Sequence, residues 1–172
     1  MNKKVAIIIS PNYKDYAKKY LAECFASIKK QDYAGDIKVL IADNESTEES
    51  YEYLKKVLKE MDCGSGPAMT NTCEIVRNKY NDGFAKGNND CMKLALAQGF
   101  EDVILFNMDT VLEPDCVRIM VEAAGDEKLF LDSRLRGNDE KEIGAVQARL
   151  MLYNEKNKIN SLGNVTHYLG FG

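Results

Sequence analysis

The chain has 172 residues, of which 45% are hydrophobic and 29% charged, with a formal net charge of −4. That length supports one well-buried core, and the acidic balance argues against a general nucleic-acid binder, which would carry a basic face. The longest apolar runs, Val5 to Ile9 and Val103 to Phe106, are far too short to span a bilayer. Lys3-Lys4 is not followed by a signal-peptide apolar region, so a cytoplasmic location is expected. Five cysteines, Cys24, Cys63, Cys73, Cys91 and Cys116, show no CxxC pair and no zinc-finger spacing. They are expected to be reduced thiols, including Cys63 and Cys73, which flank a loop.

Val5-Ala6-Ile7-Ile8-Ile9 is a continuous β-branched run, as expected of a strand covered on both faces and central in its sheet. From about Asp15 to Lys30, Tyr16, Tyr20, Leu21, Cys24, Phe25 and Ile28 recur near helical spacing, with lysines on the other side. Ile37 to Ala42 reads as a second strand, and Tyr51, Leu54, Val57, Leu58 and Met61 as the stripe of a second helix, with Ser46 and Glu49 spaced as a capping box. Cys63 to Thr72 reads as a Gly- and Pro-bearing loop before a short strand at Cys73 to Arg77. A third helix is predicted from about Ala85 to Gln98, ended by Gly99, then a strand at Val103 to Phe106 and a helix ending near Gly125. Residues 125–142 carry little to bury and read as an exposed insertion, and Ile143 to Leu152 is expected to form another strand. Such alternation implies an α/β fold: a mostly parallel sheet with right-handed crossovers and helices on both faces.

Three polar segments follow predicted strands, where ligands of open α/β sheets bind. Asn107-Met108-Asp109-Thr110 puts a carboxylate after Val103 to Phe106. An acid there can hold a divalent metal, and the metal a diphosphate that the acid alone would repel. Asp43-Asn44-Glu45-Ser46-Thr47 follows the second strand, where a carboxylate can accept bonds from a base N–H or ribose hydroxyls. Asn81-Asp82-Gly83-Phe84-Ala85-Lys86-Gly87-Asn88-Asn89 lies between strand and helix, and its glycines permit close backbone approach. Each segment, taken alone, also suits an ordinary turn or helix start. Ser10-Pro11-Asn12-Tyr13 after the first strand disfavours a dinucleotide-binding dehydrogenase, which needs GxGxxG there.

In this order the pieces resemble the inverting family-two glycosyltransferases of GT-A fold, particularly the rhamnosyltransferase-like branch. The resemblance runs from the strand into Ser10-Pro11-Asn12-Tyr13, through Asp43-Asn44-x-Ser46-Thr47, Asn81-x-Gly83-Phe84-Ala85-x-Gly87-Asn88-Asn89 and Asn107-x-Asp109-Thr110, to Ile143-Gly144-Ala145-Val146. It implies a single nucleotide-sugar-binding domain over 1–172 that transfers a sugar from a UDP- or dTDP-linked donor to a saccharide or lipid-linked acceptor with inversion. Under the resemblance, Asp43 holds the base or ribose, with Asn44, Ser46 and Asn81 in the same site, and Pro11, Asn12 and Tyr13 border the nucleotide pocket. Gly83, Phe84 and Lys86 line the diphosphate side, and Asp109 is the chief ligand of Mg²⁺ or Mn²⁺. Asn107 stands where many relatives have the first Asp of an Asp-x-Asp motif, so it is expected to contact ribose or metal-bound water. Glu48 and Met108 replace a common Asp and a frequent Pro.

The resemblance also places the relatives' catalytic carboxylate downstream of Gly172, so the chain is expected to end before it. The catalytic residue therefore stays unassigned; His167 is the lone histidine, and nothing around it fixes it as a base. The alternative is a truncated, inactive nucleotide-sugar-binding module. Peripheral membrane association and homo-oligomerisation are left open, and no nucleic-acid partner is expected.

Overall fold

A computed structural model describes residues 3–11, 14–60, 73–125 and 145–161. The chain divides into two units, Met1–Arg118 and Ile119–Gly172. In the first, β1 (Val5–Ile9), β2 (Ile37–Asn44), β3 (Cys73–Asn78) and β4 (Asp102–Phe106) form a parallel sheet in the order β3-β2-β1-β4. Every residue of β1 is buried, and β2 is buried from Ile37 to Asp43. β1 therefore lies inside the sheet, as its unbroken apolar run predicts.

Helices α1 (Lys14–Lys29), α2 (Glu48–Glu60) and α3 (Phe84–Ala97) connect these strands. Ala17, Leu21, Cys24, Phe25 and Ile28 form the buried stripe of α1, spaced for one helical face. In α2 the buried positions are Ser50, Leu54 and Val57. Cys91 and Ala95 of α3 pack with Ala6, Ile8, Leu40 and Ala42, which share one side of the pleat. Val5, Ile7, Ile9, Val39 and Ile41 alternate to the other side. From β1 to β2 to β3 the chain steps one way across the sheet, and from β3 to β4 it steps back past both. Right-handed crossovers then put α1 and α2 on one face and α3 on the other. That reversal makes the carboxyl ends of β1 and β4 a topological switch point.

Three local readings are corrected. The N-terminus of α2 is capped by Thr47 and not by Ser46: Thr47 Oγ1 accepts the Ser50 N–H at 3.3 Å and donates to Ser50 Oγ at 3.0 Å. Asp43 pulls Ser46 into the preceding turn, since its Oδ1 accepts the Ser46 N–H at 3.2 Å. Cys73 is disulfide-bonded, against the expectation of a reduced thiol, whereas Cys24, Cys91 and Cys116 form no disulfide. The strand expected over Ile143 to Leu152 is limited, among the described residues, to β5 (Leu150–Met151), because 145–149 make no ladder. β5 pairs antiparallel with β6 (Ile159–Ser161) in the second unit. The proposed insertion lies almost wholly outside the described residues, as do Asn12, Tyr13 and His167.

A buried amide ties the end of α1 to the segment after β4. Gln31, 2% exposed, donates through Nε2 to the Ser27 and Glu113 carbonyls at 3.1 and 2.9 Å. Its Oε1 accepts the Val117 N–H at 2.9 Å, at the start of α4 (Cys116–Ala124). Ser27 Oγ accepts the Leu112 N–H at 3.1 Å. These bonds meet the backbone polar groups of a segment that has no strand partner there. Gln31→Leu leaves the Val117 N–H without a partner, costing about 1–3 kcal/mol when buried, while the Ser27 and Glu113 carbonyls keep the Lys30 and Cys116 N–H groups. Urea unfolding should show a loss of roughly 1–3 kcal/mol by that reckoning; a loss under about 0.5 kcal/mol, the usual range of surface changes, would contradict the clamp.

Candidate functional site

Because the four strands are parallel, the segments that follow them emerge at one edge of the sheet. There a cleft of about 330 Å³ opens, bounded by Pro11 after β1, Ala17 on α1, and Asp43, Asn44, Glu45, Ser46 and Thr47 at the end of β2. Ser50, Tyr53 and Leu54 of α2, with Asn81 and Phe84 before and at the start of α3, complete its wall. Five of the sequence-derived candidates beside Asp43 thus come together: Pro11, Asn44, Ser46, Asn81 and Phe84.

Asp43 is 1% exposed. Its Oδ1 holds the Ser46 N–H, while Oδ2 makes no hydrogen bond and stands 3.4 Å from Arg77 Nε. The register explains the approach, since Asp43 and Arg77 are partners in the β2–β3 ladder. Arg77 also donates through Nη1 to Glu48 at 3.0 Å and through Nη2 to the Ser46 carbonyl at 3.2 Å, and its guanidinium lies 4.0 Å from the centre of the Tyr51 ring. Ser46 Oγ is likewise buried without a partner. Two polar atoms in one cleft wall, a carboxylate oxygen and a hydroxyl, are therefore unmatched by protein. Buried polar groups are nearly always matched, so such exceptions call for an explanation, of which a ligand is one.

The loop before α3 is held onto the β2 turn. Glu45 Oε2 accepts the Asn81 N–H at 3.1 Å, and Asn81 Oδ1 accepts the Gly83 N–H at 3.2 Å. Glu45 has a φ of 55°, the left-handed region that non-glycine residues rarely occupy; strain of this kind gathers at ligand-binding turns. Asn44 accepts from Asn78 Nδ2 at 2.7 Å and donates to the Gly83 carbonyl at 3.3 Å. A Cβ on Gly87 would sit 2.3 Å from Asn44 Oδ1, so only glycine lets α3 approach this amide. Gly83, with φ 88°, starts α3 with no side-chain cap.

Asn107 and Asp109 are exposed on the turn after β4, at the same sheet edge, and neither borders the cleft. Asp109 is close enough to Cys24 for its charge to add to burial in pushing that thiol up to about 12. No group of three metal-ligating side chains occurs among the described residues. Asp109 suits a cation completed by a ligand's oxygens and water, as Mg²⁺ commonly is. Lys86 pairs with Asp90 along α3 and lies off the cleft wall. Glu45, Tyr53 and Arg77 were not singled out by sequence. For Arg77 the available signal is a lone cation inside an otherwise half-buried strand.

No curated protein matches the sequence. Among solved structures, S. aureus TarS is similar with a TM-score of 0.51 and 18% identity, over 73% of this chain and 20% of that one. A second structure, S. aureus TarS 1–349 in complex with UDP, gives a TM-score of 0.49 and 18% identity over 70% of this chain and 32% of that one. The chain thus spans about a fifth to a third of the length of these structures. The first likeness agrees with the GT-A type sheet, and residues 7–172 match the family described as Glycosyl transferase family 2. On that match, which covers nearly the whole chain, the protein belongs to glycosyl transferase family 2.

Proposed function

We propose that this chain binds a nucleoside-diphosphate sugar, UDP- or dTDP-linked, and takes part in transferring its sugar with inversion to a saccharide or lipid-linked acceptor. The observation that carries this reading is the pair of unmatched buried atoms, Asp43 Oδ2 and Ser46 Oγ, in one cleft at the carboxyl edge of a parallel sheet. A carboxylate needs donors, and a base imide N–H or ribose hydroxyls supply them. Tyr53 and Phe84 add flat apolar surface on the same wall. Among the described residues the walls carry Asp43 and Glu45 and no lysine or arginine, so they suit the uncharged nucleoside better than its phosphates. The diphosphate then belongs toward the uncapped N-terminus of α3, where helix N–H groups favour an anion.

In this reading Asp109 holds Mg²⁺ or Mn²⁺, and no ion pair neutralises that carboxylate among the described residues. When bound, the ion would offset charge developing on the leaving diphosphate. Asn107, two residues earlier, would contact ribose or metal-bound water. The chain's own residues bind and orient: Asp43 and Ser46 fix the nucleoside, and the Glu45–Asn81 contact holds the loop across it.

Calorimetric titration with UDP, dTDP and GDP, with and without Mn²⁺, tests the reading; binding by none of the three would sink it. Asp43→Asn should weaken whichever diphosphate binds about 10- to 100-fold, the range expected for losing hydrogen bonds to a charged acceptor, with metal or without it. If that variant binds as the wild type does, Asp43 is no part of the site. Asp109→Ala should instead erase only the Mn²⁺-dependent gain in affinity while circular dichroism stays unchanged; a gain that persists would remove Asp109 from the metal site.

A further inference from the structure

Resting on that nucleotide reading, we infer that Arg77 is a positioning residue for the donor: from outside the cleft it sets the Asp43 carboxylate and the Glu45–Thr47 turn that the nucleoside meets. Arg77 is not part of the cleft wall. Its fork nevertheless contacts three separate parts of that wall's support: the Asp43 carboxylate at 3.4 Å, the Ser46 carbonyl at 3.2 Å and Glu48, in the first turn of α2, at 3.0 Å. Stacking on Tyr51 at 4.0 Å fixes the plane from which the three donors point. A planar fork with this many donors has no equivalent in lysine.

The chemistry of Asp43 makes this placement consequential. A buried carboxylate with an oxygen lacking any hydrogen bond is costly unless a cation stands by it, and Arg77 is the cation within ion-pair distance among the described residues. Nε approaches Oδ2 without closing a hydrogen bond, so the oxygen keeps its acceptor capacity unused while its charge is offset. The bond to the Ser46 carbonyl acts on the other side of the same turn, whose N–H is held by Oδ1. Arg77 thereby couples strand β3 to the acceptor geometry at the end of β2, without touching the ligand.

The test is a double-mutant cycle read as nucleotide affinity, using whichever of UDP, dTDP and GDP binds the wild type most tightly in Mn²⁺. Arg77→Gln is expected to raise Kd about tenfold when Asp43 is present, and less than about twofold in an Asp43→Asn background, because residues in one network are not additive. A role confined to stability would lower the unfolding midpoint and leave the two affinity effects independent. If Arg77→Gln does not fold by circular dichroism, Arg77→Lys, which keeps the charge and loses the fork, is read in the same cycle. Equal affinity losses in both backgrounds, or none with Asp43 present, would overturn the assignment of Arg77 while the nucleotide reading, carried by wild-type binding and its weakening in Asp43→Asn, stands. Failure of the wild type to bind any of the three diphosphates would overturn the nucleotide reading and this inference with it.

Discussion

Parallel pairing on both sides of β2 is the constraint from which the rest of the first unit follows. β2 is hydrogen-bonded to β1 and to β3 in the same direction, so neither neighbour can be reached by a tight hairpin. Each connection must cross a face of the sheet as a helix, and those helices bury the apolar strands on both sides. The same pairing sends the polar segments after β1, β2, β3 and β4 to one edge. Pro11, Asp43, Asn81 and Asp109, far apart in sequence, are gathered there by direction alone. Register adds the finer placement: Asp43 opposite Arg77 is a consequence of how β2 and β3 align.

Around that edge the polar groups are arranged so that most are satisfied and a few are not. The Asn44 amide is met by Asn78 and by the Gly83 carbonyl, and the Asn81 N–H by Glu45. Gly87 is required because any Cβ would displace the Asn44 amide. Elsewhere, Ser10 Oγ donates to Asn88 Oδ1 at 2.8 Å, joining the end of β1 to α3. Four buried polar atoms, Asp43 Oδ2, Ser46 Oγ, Asn88 Nδ2 and Asp102 Oδ2, lack a hydrogen bond among the described residues; the first two belong to residues of the cleft wall, and the proposed donor site rests on them. The left-handed Glu45 belongs to the same economy, since its backbone brings both its own side chain and Ser46 to the cleft.

Much of this was legible in the sequence. The unbroken run Val5 to Ile9 announced an interior strand, and the spacing of Leu21, Cys24, Phe25 and Ile28 announced the buried face of α1. Asp43 and Asn81 were legible because each stands in a turn directly after a strand. Arg77 was not, because its importance comes from cross-strand register, which no local pattern in β3 encodes. Capping by Thr47 was missed for a related reason: Ser46 fits the local motif, but Asp43, three residues earlier, competes for its N–H and starts the helix one residue later. Within the strand expected through Ile143 to Leu152, the described residues 145–149 show that apolar residues alone do not make a ladder. The bond at Cys73 depends on spatial approach and surroundings that spacing does not express.

The central claim is that the cleft at the ends of β1, β2 and β3 receives the nucleoside. Amide NMR of the 19.3 kDa chain during titration with UDP, dTDP and GDP tests it most directly, because it reads location as well as binding. The account predicts saturable shifts concentrated at Asn44, Glu45, Ser46, Asn81 and Phe84, with the α3 N-terminus following as the diphosphate settles. Saturable shifts confined to residues away from this cleft would contradict it.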